Sequence, residues 1–146
     1  MNIEGGQNLM REGGCLCGAV RFQATPKTTD VGVCHCTMCR RWSGGVFMAV
    51  EVQPDWEEVG PSVSSVYISS EWGQRRFCNQ CGTIIGWQLQ DGSHLMLAVP
   101  AFDDIDGFVF NTEIYIDKKP DLYAFSNQTT KLTEADILAQ FAEKGI

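Results

Sequence analysis

The chain reads as a series of short segments in which apolar residues alternate with polar ones, or run on for a few positions until a turn residue stops them. In "AVRFQA" (19–24), Val20 and Phe22 share one face while Arg21 and Gln23 share the other, the two-residue period of a half-buried strand. "DVGVCHC" (30–36) is extended chain running into a turn, and "GVFMAVEV" (45–52) is a buried strand opened by Gly44 and Gly45. Further strands are predicted at "SSVYIS" (64–69), "RRFC" (75–78), "TIIGWQL" (83–89), "HLMLAV" (94–99) and "FVFNTEIYID" (108–117). The stretches "QPD", "GPS", "QDG" and "KKPD" separate them as turns. One convincing helix closes the chain. Thr133 is its N-cap, Asp136 its short capping-box partner, and Ile137, Leu138 and Phe141 its apolar stripe. Many short strands and frequent turns predict a mainly β domain of sheets rather than βαβ units.

Composition adds bounds to this picture. At 146 residues the chain is long enough for one domain with a real core, and its 44% hydrophobic and 20% charged residues are those of an ordinary globular protein. Residues 1–12 read as a flexible N-terminal segment and 13–146 as a single domain. No apolar run approaches the roughly 20 residues of a membrane helix, so no membrane partner is expected. "MNIEGGQNLMREGG" lacks the apolar stretch of an export signal, which points to the cytoplasm. The net charge of −7 argues against nucleic acid as a partner. Two arginine pairs, Arg40–Arg41 and Arg75–Arg76, lie beside cysteines and suit a small anionic ligand better than a polyanion.

The cysteines carry the chemistry. All seven fall into three groups: Cys15-Leu-Cys17-Gly18, Cys34-His-Cys36-Thr-Met-Cys39 and Cys78-Asn-Gln-Cys81-Gly82. An odd number without an export signal argues against a disulfide framework and for metal binding or thiol chemistry. Cys78-x-x-Cys81-Gly82 has the spacing of a zinc knuckle, whose turn Gly82 can close with a positive φ. A redox pair would need a helix after it, and the β-branched "GTIIGWQLQ" reads as a strand. Pairing with Cys15 and Cys17 completes a four-sulfur set of the kind that makes a closed structural site. Cys34, Cys36 and Cys39 remain, three donors with an open fourth position, as at a catalytic zinc. This partition is the tidiest that spacing permits, and spacing leaves other pairings open. In an extended chain His35 faces away from Cys34 and Cys36, so it is read as a support behind the site or a surface residue, not a ligand. His94 is read as a strand residue on the exposed face.

The chain resembles the glutathione-dependent formaldehyde-activating enzyme family, which includes centromere protein V-like proteins. "GGCLCGAVRF" (13–22), "CHCTMCRRWSG" (34–44) and "RRFCNQCGT" (75–83) carry the resemblance, with a looser match in "EIYIDKKPDL" (113–122). It implies a β-tent (Mss-four-like) fold with two zinc ions, Cys15, Cys17, Cys78 and Cys81 structural and Cys34, Cys36 and Cys39 at the reactive ion. Glu113 stands where the family often carries His, and Leu122 where an aromatic residue is common. These departures bear on the substrate, not on the metal.

A zinc held by three thiolates favours a soft thiol as its fourth ligand. The family implies that this thiol is glutathione, added to formaldehyde to give S-hydroxymethylglutathione, a carbon–sulfur lyase-type reaction. Arg40 and Arg41 are then candidates for a glutathione carboxylate, and Trp42 and Phe47 for the pocket wall. The rival readings are a zinc-stabilised binding module without turnover and a non-catalytic glutathione carrier.

Overall fold

A computed structural model describes residues 9–145. They form two compact units, one made of the described residues up to Thr29 with Ala49–Phe108, the other of Asp30–Met48 with the chain from Val109 onward.

In the first unit, β1 (Arg11–Gly14), β2 (Arg21–Ala24) and β5 (Glu57–Glu58) make a small antiparallel sheet. A larger antiparallel run follows the order β4–β9–β8–β7–β6, from β4 (Phe47–Val52) through β9 (Leu95–Ala98), β8 (Ile84–Leu89) and β7 (Gly73–Cys78) to β6 (Ser64–Ile68). The alternation read in "AVRFQA" holds: Val20 and Phe22 are buried, and Arg21 and Gln23 are half-buried. Phe22 meets Phe102 edge to face with ring centroids 5.3 Å apart. Val50, Val52, Ile85, Leu95 and Leu97 complete a dry core. Each such side chain contributes about 1.5–3 kcal/mol by leaving water.

The second unit is a parallel three-stranded sheet in the order β11–β10–β3, from β3 (Asp30–Cys34), β10 (Val109–Ile114) and β11 (Thr130–Leu132). It carries α1 (Thr37–Ser43) and α2 (Glu134–Glu143). The capping box of α2 forms as expected, the Asp136 amide donating to Thr133 Oγ1 at 3.2 Å and the Thr133 amide to Asp136 Oδ2 at 2.8 Å. Its stripe is narrower than expected. Ile137 is buried, but Leu138, about 100° further round the helix, is 48% exposed.

Several expectations change. Helix α1 was read as a turn; Cys36 caps its start and Gly44, in the left-handed region at φ 78°, ends it instead of opening β4. Strand β10 stops at Ile114, because Tyr115 adopts φ 55° and ψ 43°. His94 is not on an exposed face: its Nδ1 lies 3.1 Å from Glu51 Oε2 and its ring packs against Trp87. Strand β1 begins inside the segment read as flexible, whose first eight residues lie outside the described ones. The mainly β class stands, and no helix among the described residues is long and apolar enough to cross a membrane.

The "GG" that precedes Cys15 has a steric cause. A Cβ on Gly13 would overlap the Ala101 carbonyl oxygen and the Phe22 ring, and one on Gly14 would overlap the Val20 carbonyl oxygen. Gly13→Ala should therefore lose about 2 kcal/mol or more, read as a lower midpoint in thermal denaturation. An unchanged midpoint would mean that this close approach does not constrain the fold.

Candidate metal centres

Two groups of cysteine sulfurs converge, and both were legible as groups in the sequence. Cys15 and Cys17 sit in the turn from β1 to β2, Cys78 ends β7, and Cys81 lies in the turn to β8. The two turns are built alike. The Gly18 amide donates to the Cys15 carbonyl at 3.2 Å and the Gly82 amide to the Cys78 carbonyl at 2.9 Å. Both glycines have positive φ, 82° and 80°, as the reading of Gly82 requires.

The four sulfurs lie within 4.8 Å of one another. Cys15 and Cys17 are separated by 3.6 Å, Cys17 and Cys78 by 3.9 Å. A tetrahedral zinc with bonds of about 2.3 Å places its sulfurs about 3.8 Å apart, so this spacing fits the ion. Main-chain amides point at the sulfurs: Val20 donates to Cys15 Sγ at 3.2 Å, and Gln80 and Cys81 both donate to Cys78 Sγ at 3.4 Å. Thr83 ties the two turns together, accepting from the Leu16 amide at 3.0 Å with its Oγ1 3.1 Å from Cys81 Sγ. That hydroxyl, then the Thr83 amide, holds the Cys81 thiol down at about 5. Cys17 is pushed up to about 11, against the lowering pull of the Ala19 amide, by the neighbouring Cys15 sulfur.

The second group is Cys34 at the end of β3, Cys36 at the N-cap of α1 and Cys39 in its first turn, again within 4.8 Å. Cys34 and Cys39 are buried, and the Cys39 amide donates to Cys36 Sγ at 3.3 Å. The Cys36 and Cys39 sulfurs, then burial, push the Cys34 thiol far up. The donor set suits a soft divalent ion, and the cluster offers three ligands.

His35 is not one of them. It has no exposed surface, and its Nε2 lies 2.7 Å from Glu113 Oε1 while its Nδ1 lies 2.8 Å from the Tyr123 hydroxyl. Glu113, 2% exposed, accepts from Thr129 Oγ1 at 2.5 Å through its other oxygen, with Lys131 Nζ 3.7 Å away. Against burial, Thr129 and His35 hold its carboxyl below the usual range. Glu113 therefore spends both oxygens within its own unit, on His35 and Thr129.

The arginines divide. Arg40 is tied down, its Nε donating to the His35 carbonyl at 2.9 Å and an Nη to Thr37 Oγ1 at 3.5 Å. Arg41 is exposed. Trp42 packs on Phe47 with centroids 5.3 Å apart. The other pair is not a loose anion patch, since Arg75 is buried with its Nε on Ser69 Oγ, and Arg76 meets Glu58 at 3.5 Å beneath Trp56.

Sequence reasoning missed Tyr115. It follows Ile114, which pairs with Cys34, and the His35 amide donates to the Ile114 carbonyl at 3.1 Å, so the phenol belongs to the neighbourhood of the three sulfurs. Burial, and then the charge of Cys34 and Cys36, pushes it up to about 12. Nothing in a sequence announces a tyrosine with left-handed backbone. The signal for Glu113, an acid inside a mostly apolar strand, was present.

Known proteins resemble this chain in sequence and fold. The family described as glutathione-dependent formaldehyde-activating enzyme matches residues 10–118. An uncharacterized lyase of Schizosaccharomyces pombe is 32% identical over 133 residues, covering 87% of this chain and 93% of the relative. A Halomonas elongata protein that carries the family's name is 30% identical over 86 residues, 53% of this chain and 55% of that protein. A crystal structure of a Rhodobacter sphaeroides protein superposes with a TM-score of 0.56 at 22% identity, covering 66% of this chain and 91% of that one, a likeness of fold. With its family match spanning both cysteine groups, the chain belongs to the glutathione-dependent formaldehyde-activating enzyme family.

Proposed function

We propose that the chain, with residues 13–146 acting as one domain in the reducing cytoplasm, is a zinc-dependent enzyme of the carbon–sulfur lyase type. It adds the thiol of glutathione, or of a similar small anionic thiol, to formaldehyde or a related small carbonyl. One observation carries the reading: a complete four-sulfur group stands in the same chain as a group of three. Two named relatives support the reaction class, one a lyase and one bearing the name of glutathione-dependent formaldehyde activation.

Cys15, Cys17, Cys78 and Cys81 would hold a structural ion, and Cys34, Cys36 and Cys39 the reactive one. When bound there, zinc supplies a position that favours a thiolate over water at neutral pH. In the overall addition, a bond forms between the thiol sulfur and the carbonyl carbon, the C=O π bond opens, and the thiol's proton ends on the oxygen. The exposed Arg41 would bind a carboxylate of the thiol substrate, while Arg40 keeps its role of bracing the turn. Trp42, backed by Phe47, would wall the substrate. Tyr115, which keeps its proton at neutral pH, would offer its O–H to the carbonyl oxygen.

Cys78→Ala should yield insoluble or unfolded protein, since a structural ion supplies folding free energy. Cys36→Ala should stay folded, lose one of two zinc ions by metal analysis, and lose thiol-dependent consumption of formaldehyde. If Cys36→Ala turns over normally, the three-cysteine group is not the reactive centre.

Glutathione titrated into the zinc-loaded protein by calorimetry should bind, and Arg41→Ala should weaken it by about 1–3 kcal/mol. The S-methyl analogue should bind more weakly still, because it brings no thiolate. No heat at millimolar glutathione would remove glutathione as the substrate while leaving both metal assignments standing.

A further inference from the structure

His35 is the residue between two of the three sulfurs, and every polar atom it has is held. Its amide donates to the Ile114 carbonyl at 3.1 Å, and its own carbonyl accepts from Arg40 Nε at 2.9 Å. Its ring nitrogens meet Glu113 at 2.7 Å and the Tyr123 hydroxyl at 2.8 Å. The ring also stacks on Tyr123, with centroids 5.5 Å apart and planes 29° from parallel. Glu113 is itself fixed from behind. Thr129 donates to its second oxygen, and Lys131 Nζ donates to Thr129 Oγ1 at 2.9 Å.

This is an expensive way to fill a core. A buried histidine and carboxylate must be desolvated, and apolar residues of the same size usually serve stability as well or better. What the pair supplies instead is direction, since a ring held at both nitrogens cannot turn. Residues next to one another in extended chain project to opposite sides, so clamping His35 on one side sets where Cys34 and Cys36 place their sulfurs on the other. Metal ligands tolerate displacements of only about 0.2 Å, so a clamp of this kind acts directly on affinity.

We propose that His35 and Glu113 are a positioning pair, anchored by Tyr123 and Thr129, that sets the sulfur geometry of the three-cysteine group from the face opposite the metal. The inference rests on the reading of that group as a metal site. Its effect is expected at the three-cysteine group alone, since the four-cysteine group lies in the other compact unit.

The test is a Co²⁺ titration of the full metal-free chain, followed by thiolate charge-transfer and d–d absorption. The wild-type protein should bind two ions. Glu113→Ala leaves the His35 N–H without its acceptor, and should weaken one of the two ions by roughly 10–100-fold and shift its d–d envelope, leaving the other ion unchanged. Glu113→Gln can still accept from His35 with its amide oxygen, so it should stay within about threefold of wild type in affinity, the rescue that a merely structural acid would not require. Tyr123→Phe removes one anchor but keeps the ring stack, and should move affinity and spectrum the same way by a smaller amount.

Wild-type affinity and spectrum in Glu113→Ala would overturn the proposal. Should that variant fail to fold, Tyr123→Phe decides alone, and an unmoved spectrum there has the same force. A wild-type chain that binds a single ion defeats both this inference and the metal reading beneath it. Two ions in the wild type, with variants that do not differ from it, defeat only the inference.

Discussion

Sulfur crowding is the constraint on which the rest of this protein depends. Thiolates held a few ångströms apart repel one another, and burial raises the cost of ionising them further. The seven thiols are free rather than joined as disulfides. The mutual effects are visible inside each group: the Cys36 and Cys39 sulfurs force Cys34 up, and against the pull of the Ala19 amide the Cys15 sulfur pushes Cys17 up to about 11. A soft dication removes the conflict, because it lets every sulfur in its group ionise at once. The tight turns around the cysteines follow from that demand. Gly18 and Gly82 adopt backbone conformations that bring paired sulfurs to one point, and main-chain amides turn toward the sulfurs to share the charge.

The two groups meet the constraint differently. Four sulfurs suffice to complete a tetrahedron, and the Cys15–Cys17 and Cys78–Cys81 turns that bring them together are bridged by Thr83. Three sulfurs are one short of a tetrahedron, and their unit also carries the exposed Arg41, the Trp42–Phe47 ring pair and Tyr115, held in the left-handed region. Strain of that kind costs about 1–3 kcal/mol and persists where the surrounding structure imposes it, often at functional sites.

Much of this was legible in the chain. The cysteine groups were, because metal-ligand spacing is local and glycine marks the turns. The strands were, because alternation such as Val20-Arg21-Phe22-Gln23 reports burial directly. Helix α1 was not. Its sequence, "TMCRRWS", is too short for an apolar stripe, and the bond from the Cys39 amide to Cys36 Sγ that starts it belongs to the cysteine group itself. Nor was the parallel pairing of β3 with β10, which joins residues some 80 positions apart, Asp30 with Val109 and Cys34 with Ile114. That pairing brings Glu113 to His35, so an acid that looked like a departure from the family pattern becomes the partner of a histidine already in the motif. The role of Arg40 was hidden for a similar reason. Its place beside Cys39 suggests an anion site, and nothing in that spacing announces the bond from its Nε to the carbonyl of His35.

The central claim is that the three-cysteine group accepts a thiol as the missing donor. X-ray absorption at the zinc edge measures this directly, as the mean number of sulfur neighbours per ion. With both groups loaded, four sulfurs at one ion and three at the other average to about three and a half. Saturating glutathione should raise that mean to about four, with zinc–sulfur distances held near 2.3 Å and a light-atom neighbour lost. A mean that stays at about three and a half under saturating glutathione would contradict the account.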